Sequence, residues 1–486
     1  MPTDISSSQA TYLAIDQGTH ATRALLFDRR GKVLSAGERE VSLQRPTPGW
    51  AEHDPEEILA SVRAAVEAAI GALGPDDTRL AAVGLATQRS SVVCWDAAGG
   101  TALSPIISWQ DLRARDWVKQ FEPHGEAIRR QTGLFLSPHY GAGKLRWCLD
   151  HLPAVRAALR KGTLRWGPLS SFLIYRLLEE RPFLADPQNA SRTQLWNLQS
   201  RTWESELLTL FGIPPGHLPQ CVPTRHRFGT LNHGRLRVPV NLVTGDQAAA
   251  LFAHGPPSAD TAYVNVGTGA FILRTAAARP EGAERLLTGI VLEEAESLLF
   301  GLEGTVNGAA AALDWVGREL GREDLLQRLP EWLAAPGEPP LFLNGVSGLG
   351  SPFWRADFPS RFVGEGSAAE MAVAVVESIA FLLQANLEQM SGILPPPREI
   401  QLSGGLSRLE GVCRMLCDLS GLPLLRAEDF EATARGVACL LARCPEEWAE
   451  GTEFQRFGPR AGSPLAKALR SRYRRWRQEM ATLTGI

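Results

Sequence analysis

The chain has 486 residues, of which 44% are hydrophobic and 21% are charged, and its net charge is -3. This length exceeds what one hydrophobic core usually organises, so it predicts two domains of a globular protein. The small net charge gives no reason to expect nucleic acid as a partner. Residues 1–10 lack the apolar region of a signal segment, and no uninterrupted apolar run predicts membrane insertion. Seven scattered cysteines without metal-ligand spacing favour reduced thiols in the cytoplasm.

The first predicted feature is a hairpin made of two apolar runs, residues 12–15 and 24–27. The polar residues of its turn and its flanks include Asp16, Gly18, Thr19, His20 and Arg23. Backbone N–H groups and hydroxyls in such a turn can hold phosphate oxygens. A carboxylate there can hold Mg²⁺ beside the phosphates. An ordinary hairpin with an Asx-type turn explains the same residues equally well.

Strand–helix alternation follows and predicts a layered α/β domain. A strand over residues 33–41 precedes a helix over residues 56–73, which Asp54 caps. A buried strand over residues 80–86 comes next. Arg89, just beyond that strand, could hold the hydroxyls of a polar substrate, although a surface arginine is an equally good interpretation.

Two further segments bear on a substrate pocket. Trp109 could form an apolar wall for the carbon side of a polyol, but a lone tryptophan more often belongs to the core. Residues 137–147 lead into a helix, and helices are predicted to continue to residue 180. Residues 189–193 are a predicted polar turn.

Asp246 is the candidate general base. It lies between a predicted strand, residues 240–243, and a predicted helix, residues 248–253. A hydroxyl nucleophile needs a proton acceptor within hydrogen-bond reach, and a carboxylate at a strand end can supply one. The alternative is an ordinary helix N-cap.

Dense turn residues after residue 254 predict a boundary between domains of residues 11–254 and 260–486. A second copy of the hairpin pattern opens the second domain. Residues 264–268, which include Gly267 and Thr268, align with residues 15–19. Two such hairpins suggest a duplicated domain with a ligand between the halves.

The rest of the second half supplies a strand followed by two glycines and a helix. Gly404 and Gly405 lie between a strand over residues 399–402 and a helix over residues 410–419. This arrangement lets a flat ligand lie against bare backbone, with anionic groups near a helix N-terminus. Residues 467–477 are predicted to form a basic, solvated helix.

Taken in order along the chain, these motifs resemble the FGGY family of carbohydrate kinases, and within it the glycerol-kinase branch. Each motif is short, and it is their order that makes the resemblance specific. The motifs are Asp16-Gln17-Gly18-Thr19, Gly49-Trp50, Gln88-Arg89, Lys144-Leu145-Arg146-Trp147, Asn189 to Thr193, Gly245-Asp246-Gln247, Gly267-Thr268-Gly269 and Gly404-Gly405.

The resemblance implies two actin-like, ribonuclease H-like α/β domains with a ligand cleft between them, which binds ATP, Mg²⁺ and a small sugar or polyol. It implies that Asp246 takes the proton from the attacking hydroxyl and that Asp16 and Asp246 help to place Mg²⁺. The substrate contacts that it implies are Arg89, Ser90, Trp109, His139, Asp246 and Gln247. The implied phosphate and nucleotide contacts are Gly18, Thr19, His20, Arg23, Gly267, Thr268, Gly308, Gly404 and Gly405. A homodimer is left open.

The sequence departs from the glycerol-kinase pattern at several of these positions. Ser90 stands where that branch usually has Glu, and His139 stands where it has Tyr. His20 replaces a threonine of the hairpin, and the loop after Gly364 is shorter. The altered pocket predicts an acceptor larger than glycerol. The alternatives are a glycerol kinase proper, a catalytically silent nucleotide-binding relative, and an ATPase that uses water as acceptor.

Overall fold

The computed structural model describes residues 10–71, 79–233, 236–335, 337–427, 431–446, 448 and 453–485. The chain forms two compact units. The first comprises Met1–Pro257, Gly289–Leu299 and Glu431–Thr452, and the second comprises Ser258–Thr288, Phe300–Phe430 and Glu453–Ile486. The domain limits expected from the sequence, 11–254 and 260–486, remain predictions.

The elements of the chain up to residue 257 alternate between strands and helices. The strands are β1 (Thr11–Gln17), β2 (Ala21–Asp28), β3 (Val33–Glu40), β4 (Glu52–His53), β5 (Leu80–Thr87), β6 (Val92–Asp96), β7 (Ile106–Ile107), β8 (Leu164–Pro168), β9 (Leu184–Ala185), β10 (Trp196–Asn197), β11 (Thr202–Trp203), β12 (Gln220–Cys221), β13 (Arg225–His233) and β14 (Leu236–Gly245). The α-helices are α1 (Pro55–Ile70), α2 (Arg115–Lys119), α3 (Gly125–Thr132), α4 (Gly141–His151), α5 (Pro153–Lys161), α6 (Leu169–Leu177), α7 (Pro187–Ser191), α8 (Ser205–Leu210) and α9 (Asp246–Ala250).

The remainder of the chain repeats this style. Its strands are β15 (Thr261–Val266), β16 (Ala270–Ala276), β17 (Leu287–Glu293), β18 (Leu298–Val306), β19 (Leu341–Leu343), β20 (Arg361–Val363), β21 (Glu399–Ser403), β22 (Leu424–Ala427) and β23 (Phe454–Phe457). Its α-helices are α10 (Ala310–Glu319), α11 (Leu325–Ala334), α12 (Ala368–Ser391), α13 (Glu410–Ser420), α14 (Ala432–Leu441) and a last helix, Pro464–Thr484.

The central sheet of the first unit has the strand order β13-β14-β5-β1-β2-β3. The middle strands β1 and β5 are mostly apolar and largely buried, as expected for strands that helices cover on both faces. Leu13 and Ile15 share one core cluster with Ile58 of α1. On β5, a Cβ at Gly84 would stand 2.5 Å from Cγ1 of Val437, so α14 lies directly on that strand.

Three strands of this sheet run parallel, and their carboxyl ends meet at one edge. β5 pairs in parallel with β1 on one side and with β14 on the other. Ala86 is the register partner of both Asp16 and Thr244. The polar residues that follow β1, β5 and β14 therefore emerge side by side, as expected for ligand sites of open α/β sheets.

The sheet of the second unit has the same arrangement. In the order β18-β16-β15-β21-β22-β23, β15 pairs antiparallel with β16 and parallel with β21. These pairings match those that β1 makes with β2 and β5. The outer strands β13 and β23 are both antiparallel to their neighbours. The fold is thus internally duplicated, as the two hairpin patterns predicted.

The predicted helix α1 is confirmed, whereas the helices predicted up to residue 180 and the predicted turn at residues 189–193 are wrong. α1 begins at Pro55, and the Asp54 side chain accepts from two backbone N–H groups; residues 72 and 73 of the predicted helix lie outside the described residues. The helices predicted to continue to residue 180 are interrupted by β8, which pairs antiparallel with β6. The predicted polar turn at residues 189–193 overlaps α7, because Asp186 caps a short helix there.

One cysteine pair also contradicts the prediction of reduced thiols. Cys439 and Cys444 form a disulfide, with their Cα atoms 4.5 Å apart. Left-handed backbone at Arg443 and Cys444 turns the chain back at the end of α14, which brings the two sulfurs together. The free cysteines of the described chain are Cys94, Cys148, Cys221, Cys413 and Cys417.

The longest apolar helix, α12, lies in the core of the second unit. By length and composition alone it could cross a membrane, but 72% of its most apolar window is buried inside the protein. It carries one buried carboxylate, Glu377, which accepts a hydrogen bond from Nε of Arg472 at 2.8 Å. Burial raises the pKa of Glu377, and Arg472 opposes that shift. Arg472 belongs to the last helix, which also buries Tyr473 and Trp476, so the prediction that this helix is merely a solvated face is wrong.

Arg472→Met should destabilise the protein by about 3–5 kcal/mol, because it leaves the Glu377 carboxylate buried without a partner. Arg474→Met, an exposed position on the same helix, should change the unfolding free energy by less than about 0.5 kcal/mol. Urea denaturation of both variants measures the difference. Equal, small effects would mean that water reaches Glu377.

Candidate functional site

The turn of the first hairpin, between β1 and β2, is short. The N–H of Gly18 donates to the carbonyl of Ala21 at 3.0 Å. Asp16 and Arg23 are cross-strand partners, and Arg23 also pairs with Glu38 at 2.7 Å. The guanidinium predicted to contact phosphate is therefore already held by a carboxylate. His20 at the tip is exposed.

Asp16 lies in an electrostatically unfavourable place for a carboxylate. Its pKa is raised to about 8, most of all by burial and then by Asp246, while Arg23 lowers it and Glu431 raises it. The effect of Asp246 means that the carboxylates at the end of β1 and at the start of α9 are close enough to repel each other. A divalent cation between them would remove this repulsion.

Asp246 is the first residue of α9, and Gly245 occupies the N-cap position. The N-cap alternative for Asp246 is therefore wrong. Its Oδ1 accepts from the Gln247 N–H at 2.7 Å and lies 4.0 Å from Nε of Arg89. This arginine is only 9% exposed, so the surface-arginine alternative is also wrong.

Gly245 allows this packing because it has no side chain. A Cβ there would stand 1.9 Å from Oε1 of Gln188 and 2.7 Å from Cγ of Arg89. The two side chains thus occupy the space beside the end of β14. Gln188 is buried and was not among the predicted site residues.

Trp109 is 41% exposed, which contradicts the expectation that a lone tryptophan belongs to the core. Its indole Nε1 donates to Oγ1 of Thr19 at 3.0 Å. Its backbone N–H donates to Oγ of Ser91 at 3.0 Å. The indole is therefore held in solvent contact by bonds to the hairpin and to the turn after β5, an arrangement suited to an apolar wall for a ligand.

His139 is tied to Trp109 in turn. Its Nδ1 lies 3.0 Å from the carbonyl oxygen of Trp109. A carbonyl only accepts, so Nδ1 must carry the hydrogen. This assigns the tautomer of the neutral ring and makes its Nε2 a hydrogen-bond acceptor.

Gln88 connects the same turn with the hairpin. Its Nε2 donates to the carbonyl of Gly18 at 3.2 Å, and its Oε1 accepts from Oγ of Ser91 at 2.9 Å. Ser90, the next residue but one, has a left-handed backbone with φ 63°, which is uncommon for serine. The buried Nζ of Lys144 donates to the Ser90 carbonyl at 2.8 Å. Gln88 and Lys144 belong to the sequence motifs of the chain but were not among the predicted site residues.

In the second unit, the turn of the β15–β16 hairpin contains Gly267 and Thr268. The N–H of Gly267 donates to the carbonyl of Gly269 at 2.8 Å, one residue tighter than in the first hairpin. The carbonyls of Gly267 and Thr268 accept from N–H groups at the start of α10, those of Ala309, Ala310 and Ala311. The start of this helix therefore donates to the hairpin.

The three predicted nucleotide-site glycines differ in their surroundings. A Cβ at Gly308 would stand 2.6 Å from the carbonyl oxygen of Val346, and one at Gly404 would stand 2.7 Å from the backbone of Val266. At Gly405 nothing lies within 4 Å. Gly308 and Gly404 are thus required by backbone packing, whereas Gly405 leaves open space where a flat ligand could approach.

The donor set fits Mg²⁺ bound together with phosphates. Within the described residues no group of three or more His, Cys, Asp or Glu side chains could hold a metal. Mg²⁺ commonly needs only one or two carboxylates when water and phosphate oxygens complete its shell. Asp16 and Asp246 provide two carboxylates at one sheet edge.

Two family models match most of the chain. The model of the FGGY family of carbohydrate kinases, N-terminal domain, matches residues 11–253, and the model of the C-terminal domain matches residues 262–444. The chain belongs to the FGGY family of carbohydrate kinases. It is an ATP-dependent kinase whose cofactors are ATP and Mg²⁺.

Similarity to individual proteins supports the same family. Glycerol kinase from Alkalilimnicola ehrlichii is 35% identical over 445 residues, which are 89% of this chain and 89% of that one. The crystal structure of Plasmodium falciparum glycerol kinase with ADP matches with a TM-score of 0.86 at 21% identity, over 97% of this chain and 98% of that one. Xylulose kinase from Rhodospirillum rubrum matches with a TM-score of 0.85 at 22% identity, over 97% and 99%. The predicted two-domain FGGY kinase fold is confirmed.

The raised pKa of Asp16 predicts a pH-dependent stability. Between pH 3.8 and about 8 the folded FGGY kinase holds a proton on Asp16 that the unfolded chain has lost, so this group's contribution to stability falls as the pH rises through that window. The melting temperature of Asp16→Asn should therefore change less between pH 5 and 9 than that of the unmodified protein. The melting temperature of Asp116→Asn, a change at an exposed carboxylate, should change with pH as that of the unmodified protein does.

Thermal melts with and without Mg²⁺ and ADP measure this effect. Because a cation binds the carboxylate and not the acid, it should stabilise the unmodified kinase more at the alkaline end. Identical curves for the unmodified protein and Asp16→Asn would contradict the assignment of Asp16.

Proposed function

We propose that this kinase transfers the γ-phosphoryl group of ATP to a hydroxyl of a small polyol or ketose that is longer than glycerol. The observation that carries the proposal is the group formed by exposed Trp109, His139 and Ser90, next to the Arg89–Asp246 pair. It offers an apolar wall, neutral hydrogen-bonding groups and, at position 90, a short hydroxyl.

Asp246 acts as the general base in this proposal. Phosphoryl transfer depends on positioning and charge neutralisation more than on covalent help. Asp246 accepts the proton of the attacking hydroxyl, and Arg89, 4.0 Å away, attracts the carboxylate and holds a neighbouring hydroxyl. Asp16 and Asp246 would hold Mg²⁺, which when bound would supply charge neutralisation for the phosphates. Thr19 and Thr268, with neighbouring amides, contact the phosphate oxygens.

The identity of position 90 favours a longer acceptor. A carboxylate there could accept two hydrogen bonds from a short triol, whereas the Ser90 hydroxyl offers a weaker acceptor and leaves more volume. His139 supplies an acceptor at Nε2, because its Nδ1 is used by the Trp109 carbonyl. A larger polyol has the additional hydroxyls to use this acceptor.

Glycerol is the second candidate acceptor. The relative from Alkalilimnicola ehrlichii, 35% identical, is named a glycerol kinase, and this similarity favours glycerol. A catalytically silent protein and an ATPase are weaker candidates because Asp246, Arg89 and Trp109 are all in place. Cytoplasmic location and a homodimer belong to the proposal as further expectations.

Asp246→Asn should lower kcat by at least about a hundredfold, because a neutral amide cannot accept the hydroxyl proton. ATP binding, measured by calorimetry without Mg²⁺, should stay nearly unchanged, because in the absence of the cation the residue acts only on the acceptor. Full turnover by this variant would remove Asp246 as the base.

An acceptor panel distinguishes the candidate functions. ADP release should be measured with glycerol, erythritol, ribitol, xylitol, xylulose and ribulose. Losing one good hydrogen bond to a charged group costs about 1.5–3 kcal/mol, so at least one longer compound should exceed glycerol by about tenfold in kcat/KM. Ser90→Glu combined with His139→Tyr should reduce the difference in kcat/KM between that longer compound and glycerol.

Other results of the panel identify the alternatives. Glycerol as the best acceptor of the unmodified protein would contradict the longer-acceptor proposal. Acceptor-independent ADP release would indicate an ATPase, and no turnover would indicate a silent relative.

A further inference from the structure

Lys144 is the only lysine of the described chain whose side chain is fully buried, at 0% exposure. It lies in the first turn of α4, and its Nζ donates to two backbone carbonyls, that of Ser90 at 2.8 Å and that of His139 at 2.6 Å. A buried ammonium group is costly unless its donors are used. Its position therefore requires an explanation.

The two carbonyls belong to separate loops of the proposed acceptor pocket. Ser90 follows β5, and His139 precedes α4. Lys144 closes a ring of contacts between them: the His139 imidazole donates to the Trp109 carbonyl, and the Trp109 N–H donates to Oγ of Ser91. Without Lys144 this ring is open between Ser90 and His139.

The helix that carries Lys144 is held firmly. A Cβ at Gly141 would stand 3.2 Å from Cα of Thr193, and one at Gly143 would stand 2.8 Å from Cβ of Ala114. The N–H of Ala142 donates to the Thr193 carbonyl at 2.8 Å. The ammonium group therefore projects from a fixed point, and the two loops take their positions from it.

Lys144 does not form a simple ion pair with a neighbouring carboxylate. Its pKa is lowered to about 7, most of all by burial, while Asp111 raises it and Arg113 lowers it. Asp111 is committed elsewhere, because it accepts from the Ala51 N–H at 2.7 Å and from Nε of Arg113 at 2.9 Å. The direct partners of the ammonium group are the two pocket carbonyls.

We propose that Lys144 is a positioning residue that fixes Ser90 and His139 relative to Trp109 and so sets which acceptor the kinase prefers. This inference rests on the proposed function. It assigns to Lys144 a role in acceptor specificity without contact with the reacting atoms.

The test compares Lys144→Met with Lys119→Met, a matched change at an exposed lysine that pairs with Asp116. Because a displacement of about 1 Å can cost a hundredfold, Lys144→Met should raise KM for the preferred acceptor by about tenfold to a hundredfold. It should also reduce the ratio of kcat/KM values between the longest and the shortest panel compound. KM for ATP should stay within about twofold, and Lys119→Met should match the unmodified protein.

Lys144→Gln provides a second variant that keeps N–H donors without the charge, and it should give an intermediate acceptor KM. Melting temperatures of all variants accompany the kinetics. A parallel loss of melting temperature, ATP use and acceptor use in both Lys144 variants, including failure to fold, would make Lys144 a structural residue and overturn the proposal. An unchanged acceptor KM would also overturn it.

Calorimetric titration of the same panel compounds keeps this test separate from the proposed function. If the unmodified protein binds an acceptor but does not phosphorylate it, the proposed function fails, and weaker binding by Lys144→Met still supports the positioning role. If it phosphorylates an acceptor and Lys144→Met behaves like Lys119→Met, only the positioning role fails. If it neither binds nor phosphorylates any compound, both fail.

Discussion

The register of three parallel strands determines the candidate site. β1, β5 and β14 align so that Asp16, Ala86 and Thr244 lie across from one another. A slip of one residue would turn every side chain of a strand to the opposite face and would separate Asp16 from Asp246. The apolar faces that pack against α1 and α14 prevent such a slip. The same packing that stabilises the sheet thus sets the distance between the two carboxylates.

Much of the fold was predictable because its long elements have strong local signals. The apolar runs of β1, β2 and β5 and the capped helix α1 all occur where the patterns predicted them. The errors concern short elements. β8 has five residues and lies between helices, and its pairing with β6 is a tertiary contact that no local period reveals. α7 depends on one capping carboxylate in a segment rich in turn formers.

The candidate site was predictable in its residue types but not in its connections. Asp246 and Arg89 were identified from strand ends, whereas the exposure of Trp109 and the burial of Arg89 depend on neighbours far away in sequence. The bonds that hold the pocket loops end mostly on backbone carbonyls, those of Gly18, Ser90, Trp109 and His139. Carbonyls are identical at every position, so no sequence pattern distinguishes these.

The duplicated sheet has a consequence for how the two halves of the chain have diverged. Asp16 in the first hairpin corresponds to Asn265 in the second, and the Asn265 amide donates to Oγ of Ser403 at 3.0 Å. The first copy therefore presents a carboxyl group that a cation can bind in its ionised form, and the second presents a neutral amide whose N–H already bonds to a neighbouring strand of its own sheet. The two copies share their strand arrangement but differ in the chemistry of the side chain at this position. Asn265→Asp would replace an amide that donates a hydrogen bond to Ser403 with a carboxylate that cannot donate one. The change would therefore weaken the second sheet and would not by itself create a second metal site.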